Sequence, residues 1–420
     1  MAKVHIVGAG LAGLACAVSL ASEERPVILY EGAGHAGGRC RSFHDEVMGC
    51  TIDNGNHLLL SGNTAVHEYL ALIGAESELV GPDRALFPFV DLAARLEWTV
   101  EIGNGRWPAW IFTKDRRIPG TNLLEYLKSL KLLCATDGQA ISDVVDINSN
   151  FFKRFLEPLA VGVLNTPAEF GSASLLAAVL KETFGQGGNA CMPRMAKNGL
   201  SQTFVEPALK YLSERCGDFT PHRRLRGISI KNNHATALQF TSTEELIAED
   251  DKVILTIPAH GITDLVPTIE APEVFHPIIN AHFRLDNKYL SPQGAGLLGI
   301  VGGTAHWVFF RGDALSVTVS AADDLSRASS KAIAERIWRD LQRAISGLPQ
   351  EMPVRHRIIK ERRATISQTP ASIRRRPTCK TYCDNVYLAG DWTDTGLPAT
   401  IEGAIRSGFR AARAIFDTDR

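Results

Sequence analysis

The sequence predicts an α/β protein in which a parallel-sheet domain is interrupted by a second, α+β domain, and three observations predict it. The β-branched run Lys3-Val4-His5-Ile6-Val7 passes through Gly8-Ala9-Gly10-Leu11-Ala12-Gly13 into the helical stretch Leu14 to Leu20. A second strand-like run, Pro26-Val27-Ile28-Leu29-Tyr30, ends in Glu31. Far downstream, Asn385-Val386-Tyr387-Leu388-Ala389 ends in a Gly390-Asp391 step and leads toward an amphipathic helix over Phe409 to Phe416.

Strand, tight turn and helix in that order are what the dinucleotide fingerprint G-x-G-x-x-G requires. Gly8 permits the turn, Gly10 lets the backbone approach a pyrophosphate without a Cβ in the way, and Gly13 lets helix and strand pack closely. The helix start at Leu11 and Ala12 turns free N–H groups toward the anion. Glu31 stands 18 residues beyond Gly13, where a carboxylate accepts hydrogen bonds from a ribose and repels a 2′-phosphate. A second copy of the pattern, Gly294-Ala295-Gly296-Leu297-Leu298-Gly299, runs into Ile300-Val301-Gly302-Gly303. That continuation is no helix, so this copy reads as glycine-rich β structure.

A second glycine cluster, Gly34-His35-Ala36-Gly37-Gly38-Arg39-Cys40-Arg41, follows Glu31 where a nicotinamide enzyme usually enters its next helix. A loop with a guanidinium at Arg39 suits a second wrap around a pyrophosphate. At the other end, Thr395-Gly396-Leu397-Pro398-Ala399-Thr400-Ile401-Glu402-Gly403-Ala404 joins strand to helix, and its backbone N–H groups can face an electron-rich ring. Asp391 is read as a partner for ribityl or phosphate-side groups.

Gly8 to Gly13, Glu31, Gly37-Gly38-Arg39 and Ala389-Gly390-Asp391 through Ser407-Gly408 resemble the FAD-dependent amine oxidase and phytoene desaturase superfamily. Asp53-Asn54-Gly55-Asn56-His57, Leu164-Asn165-Thr166-Pro167 with Ser172-Ala173-Ser174, and Arg363-Ala364-Thr365 through Pro370 to Gly403 are similar to the hydroxysqualene dehydroxylase family of bacterial hopanoid synthesis. The resemblance implies a Rossmann-like FAD-binding domain with an inserted α+β substrate-binding domain. It assigns residues 1–80, 192–258 and 378–420 to the first and 81–191 and 259–377 to the second. It also implies cofactor contacts at Gly8, Gly10, Leu11, Ala12, Gly13, Glu31, Gly38, Arg39, Leu225, Gly390, Asp391, Thr400, Ile401 and Ala404.

The implied chemistry is reductive removal of an allylic hydroxyl by reduced FAD. Asp53 and His57 are the titratable pair suited to it, His57 as general acid and Asp53 as its orienting or electrostatic partner. A satisfied loop histidine and a turn-capping aspartate explain the same residues without catalysis. Leu397-Pro398-Ala399 offers no aromatic cage, which disfavours a cationic amine and suits an isoprenoid. A desaturase of the same fold, or a non-redox prenyl-lipid carrier, remain alternatives, and the electron donor is left open.

Composition narrows the field further. Lys+Arg 45 against Asp+Glu 46 gives a net charge of −1, with no global field for nucleic acid. The eight cysteines lack zinc spacing, so no metal site is expected, and reduced thiols in a cytoplasmic chain are. No apolar run is long enough to span a bilayer. Lipophilic substrate chemistry nevertheless implies peripheral contact with the inner membrane. Leu123, Leu127, Leu130 and Cys134 form one helical stripe, which either packs the second domain, walls an apolar tunnel or faces lipid. Arg355, Arg357, Lys360, Arg362, Arg363 and Arg374 to Arg376 form a basic segment, read as a solvated face or as a steering patch for anionic phospholipid. Leu175 to Phe184 is a further helix, and Leu225 to Thr241 a hairpin turning at Asn232-Asn233.

Overall fold

A computed structural model describes residues 2–106 and 108–418; positions 1, 107, 419 and 420, though inside the expected domain spans, lie outside the described residues. Five strands form a fully parallel sheet: Val4–Val7, Val27–Tyr30, Gly217–Thr220, Lys252–Leu255 and Val386–Leu388. Taken in chain order they lie 3-2-1-4-5, the doubly wound arrangement, with the order reversing beside Val4–Val7. All four residues of Val4–Val7 are buried, as a strand covered on both faces requires.

Two helices cover one face. Leu11–Ser22 buries ten of its twelve residues and packs along Ile401–Thr418. The second helix starts well before the expected Phe409, because Gly403 and Gly408 are packing glycines and not breaks. A Cβ on Gly408 would stand 2.3 Å from the Ala12 carbonyl oxygen, and one on Gly403 2.4 Å from that of Pro398. Glycine's modest helix penalty is outweighed by that backbone approach. The edge strand Gly217–Thr220 carries too little apolar pattern to be legible in the sequence.

A seven-stranded mixed sheet forms the second body, built from Ala85–Asp91, Leu96–Ile102, Phe275–Arg284, Leu297–Val301, Trp307–Arg311, Ala314–Val319 and His356–Ile366. The second glycine motif leads into its strand Leu297–Val301, as β structure. The helix Ser330–Ala344 buries Ile333, Ala334, Ile337, Trp338 and Leu341 against this sheet. A separate antiparallel sheet holds the hairpin Leu225–Lys231 and His234–Phe240, whose turn residues Asn232 and Asn233 take φ of 52° and 57°. Asparagine tolerates that left-handed turn, which is why the hairpin is legible. The predicted helix near Leu175 spans Ala173–Glu182.

The Leu123 stripe divides. Helix Leu123–Ser129 and the tighter turn Leu130–Cys134 bury Tyr126 and Leu132, whereas Leu124, Leu127 and Leu130 face outward. Much of the basic segment is paired: Arg357 with Asp45, Arg355 with Asp286 at 3.2 Å and Arg375 with Glu273 at 2.7 Å. Arg376 is buried, so the surface reading fails for that residue. Among the described residues no helix is long and apolar enough to cross a membrane, all eight cysteines are free, and no cluster suits a metal ion.

Candidate active site

The site is assembled where the sheet order reverses. Gly8 takes φ +111°, and Thr256, just after the neighbouring strand, donates its hydroxyl to the Gly8 carbonyl at 2.6 Å. Gly13 is packed so tightly that a Cβ would lie 1.9 Å from that same oxygen, whereas a Cβ on Gly10 would meet nothing within 4 Å. Gly10 therefore borders open space at the start of helix Leu11–Ser22. That helix has no side-chain cap and no acidic residue in its first turn. A cradle of free N–H groups beside an unfilled gap fits a diphosphate.

The other expected loops close around it. Gly37 donates its N–H to Ala9 at 2.7 Å, bringing Gly38 against Gly10. Glu31 accepts from Ala9 N at 2.9 Å and Ala33 N at 2.8 Å, so its carboxylate braces the first loop. Arg39 donates to Asp391 at 2.7 Å and to the Ala364 carbonyl, joining the second glycine cluster to the carboxyl-terminal loop. The Asp391 charge raises the Arg39 pKa further. Gly390 N donates to Ser407 Oγ at 2.8 Å, and Thr400 Oγ1 accepts from Gly403 N at 3.2 Å as a cap on the helix of Ile401 and Ala404. Leu225 packs in one apolar cluster with Val7 and Tyr30, beside the Glu31 loop.

Asp53 and His57 lie close, but not as a hydrogen-bonded pair. Asp53 Oδ1 accepts from Ser42 Oγ at 2.7 Å and Leu200 N at 2.9 Å, and Oδ2 stands 3.6 Å from Arg311. Its influence on His57 is electrostatic. The His57 ring is half-buried at its surface and strongly desolvated by the protein around it. Desolvation pushes its pKa down to about 4, against the raising effect of Asp53 and with help from Arg39 and Arg311. His282 shares a hydrogen bond with Ser316, and its Nε2 has no partner.

Several organising residues escape sequence reasoning. Gln368, fully buried, donates to the Leu164 carbonyl at 2.6 Å and accepts from Ala399 N at 2.8 Å, while its backbone N–H donates to Thr166 Oγ1. Asn165, at φ 46°, bridges the His276 carbonyl and Thr365 Oγ1, each at 3.0 Å. Two stretches of the narrower resemblance, Leu164 to Thr166 and Thr365 to Ala399, thus meet in one joint. Glu402, also buried, accepts from Ala65 N and Val66 N and pairs with Arg406 at 2.9 Å.

A family model for flavin containing amine oxidoreductases matches residues 11–416. The hydroxysqualene dehydroxylase of Sinorhizobium fredii is 44% identical over 411 residues, 98% of this chain and 97% of that protein. The chain belongs to the flavin-containing amine oxidoreductases, in their hydroxysqualene dehydroxylase group. The Zymomonas mobilis hydroxysqualene dehydroxylase is 42% identical, with 98% of each chain covered. Cyclohexylamine oxidase from Brevibacterium oxydans shares the fold, with a TM-score of 0.71 at 15% identity over 100% of both chains. As a member of this family the chain is an FAD-dependent oxidoreductase.

Three desolvated histidines weaken the fold in acid. His57, His282 and His306 are each held near pKa 4 by desolvation, and Ser320 N donates to His306 Nδ1, which requires a neutral ring. The unfolded chain takes up protons below about pH 6.5 and the folded chain only near pH 4, so stability is full above 6.5 and falls across that interval. Each histidine accounts for roughly 3 kcal/mol of that loss. Denaturant midpoints measured from pH 8 to pH 4 are expected to stay level and then drop steeply. In His306→Gln the drop should be shallower by about one proton.

Proposed function

We propose that this chain reductively removes the hydroxyl of hydroxysqualene, so that hydroxysqualene and reduced FAD give squalene, water and oxidised FAD. The reading is carried by 42–44% identity with hydroxysqualene dehydroxylases over nearly the whole chain. The loops of Gly8 to Gly13, Glu31, Gly38, Arg39, Leu225, Gly390, Asp391, Thr400, Ile401 and Ala404 would hold the FAD. The body built on residues 81–191 and 259–377 would hold the substrate. When bound, reduced FAD supplies the hydride.

Everything else falls to the chain. It must hold an apolar substrate away from water, which Leu397, Pro398 and Ala399 favour by lacking any polar side chain. It must also deliver a proton to the departing hydroxyl, because hydroxide is a poor leaving group. His57 is the residue for that step. Desolvation keeps its ring neutral, and a negatively charged cofactor held nearby would raise its pKa toward the working range. Asp53 supports the protonated ring by charge across space while its Oδ1 stays bonded to Ser42 and Leu200. A substrate this lipophilic is dissolved in membrane, so the enzyme meets it by peripheral contact.

Anaerobically reduced holoprotein mixed with hydroxysqualene is expected to regain the oxidised flavin spectrum and yield extractable squalene. Oxidised protein bleached by a hydrocarbon would mark a desaturase, and binding without spectral change a lipid carrier; either result overturns the proposal. In His57→Gln, kcat is expected to fall about a hundredfold with FAD retained. Unchanged turnover would remove the acid role.

A further inference from the structure

The helix Leu123–Ser129 and the turn Leu130–Cys134 are fixed firmly to the second body and yet present leucines outward. A capping box starts the helix, with Glu125 N donating to Asn122 Oδ1 at 3.2 Å and Asn122 N to Glu125 Oε1 at 3.1 Å. The free oxygen of Glu125 accepts from Phe151 N at 3.0 Å, and the Tyr126 hydroxyl accepts from Ile118 N at 2.9 Å. Tyr126 and Leu132 sit in the apolar cluster that also holds Leu164 and Trp307. The inner face is therefore satisfied, and the outward orientation of the rest follows from it.

On the outer face, Leu124, Leu127 and Leu130 are 56%, 43% and 46% exposed. Spaced three apart, they make one stripe. Lys128 and Lys131 lie exposed among them and form no ion pair among the described residues. Between Arg106 and Cys134 the sequence carries six basic and two acidic residues, a local +4 in a chain of net −1.

We propose that this face docks on a bilayer containing anionic phospholipid, the leucines entering the headgroup–acyl boundary and the lysines reaching phosphates. Apolar side chains flanked by long basic ones match that boundary in both polarity and charge. A second copy of the chain matches it poorly, because a two-fold contact through this face sets Lys128 and Lys131 against their own copies. The surface rests on the proposed function only for its purpose, delivery of a membrane-dissolved substrate; its exposure and charge stand without it.

The test is sedimentation of the full-length, FAD-loaded protein with phosphatidylcholine vesicles, with and without phosphatidylglycerol. Binding is expected to the anionic vesicles and to weaken with salt. The triple variant Leu124→Ser, Leu127→Ser, Leu130→Ser should bind roughly a hundredfold more weakly, and Lys128→Gln with Lys131→Gln about tenfold more weakly. Flavin absorbance and circular dichroism should match the parent, since these side chains are exposed. Parent protein that ignores anionic vesicles, triple variants that bind like the parent, or a solution dimer abolished by the leucine changes would each overturn the proposal. Vesicle binding by a protein that fails to turn over hydroxysqualene would sink the proposed reaction and leave the docking surface standing.

Discussion

Gly10→Ala is expected to fold normally and emerge without flavin. A Cβ at this position meets no atom within 4 Å, and the backbone φ of −74° suits alanine, so nothing in the protein resists it. The methyl group instead enters the gap in front of the helix N–H groups, the space proposed for the diphosphate. FAD affinity should fall on the order of a hundredfold or more, with an unchanged denaturation midpoint for the apoprotein. Gly13→Ala tests the opposite case. Its Cβ would stand 1.9 Å from the Gly8 carbonyl oxygen, so helix and strand must separate and stability is lost together with flavin. Titration of both apoproteins with FAD, beside their urea unfolding curves, separates the two effects. Full flavin retention by Gly10→Ala would place the diphosphate elsewhere.

That contrast also shows what a sequence can carry. Both glycines belong to one motif, and their roles follow from strand–turn–helix order, which local patterning displays. The same holds for the hairpin at Asn232-Asn233, where two left-handed residues leave a composition mark. Gly403 and Gly408 mislead for the converse reason: a glycine that admits another backbone looks, in one dimension, like a glycine that ends a helix. Only the partner, Ala12 for Gly408, tells them apart.

Long-range polar joints were the least legible. Gln368 ties Leu164 to Ala399 across more than half the chain, and no spacing rule connects such positions. The narrower family resemblance does include those stretches, so the joint is visible there as likeness but not as mechanism. Asp53 and His57 show a related limit. Four residues apart, they read as a titratable pair with Asp53 as orienting or electrostatic partner; the structure gives Asp53 Oδ1 to Ser42 and Leu200, which leaves the electrostatic part. The outward leucines were ambiguous because a 3.6-residue period marks an apolar face without saying what covers it.

Arg376 is the residue whose loss should cost most among those that the sequence hid. Within a run of three arginines it reads as surface, yet it is 7% exposed. Its guanidinium donates to the carbonyls of Asp391 at 3.1 Å and Leu397 at 2.7 Å, and to that of Thr393 from two nitrogens, one of them at 3.0 Å. One fork thus folds the whole loop between Gly390 and Thr400, and a flexible lysine lacks the geometry to replace it. Arg376→Met strands those carbonyls in a buried setting, at a cost of about 3–5 kcal/mol. Thermal unfolding of the FAD-loaded protein should begin several degrees lower, with FAD affinity reduced at least about tenfold because Asp391 and Thr400 lose their frame. Arg375→Met removes an exposed pair with Glu273 and should change neither quantity appreciably. If the two variants behave alike, the loop is held without Arg376, by contacts such as Arg39 with Asp391, Gln368 with the Ala399 N–H and Trp392 with the Ile257 carbonyl.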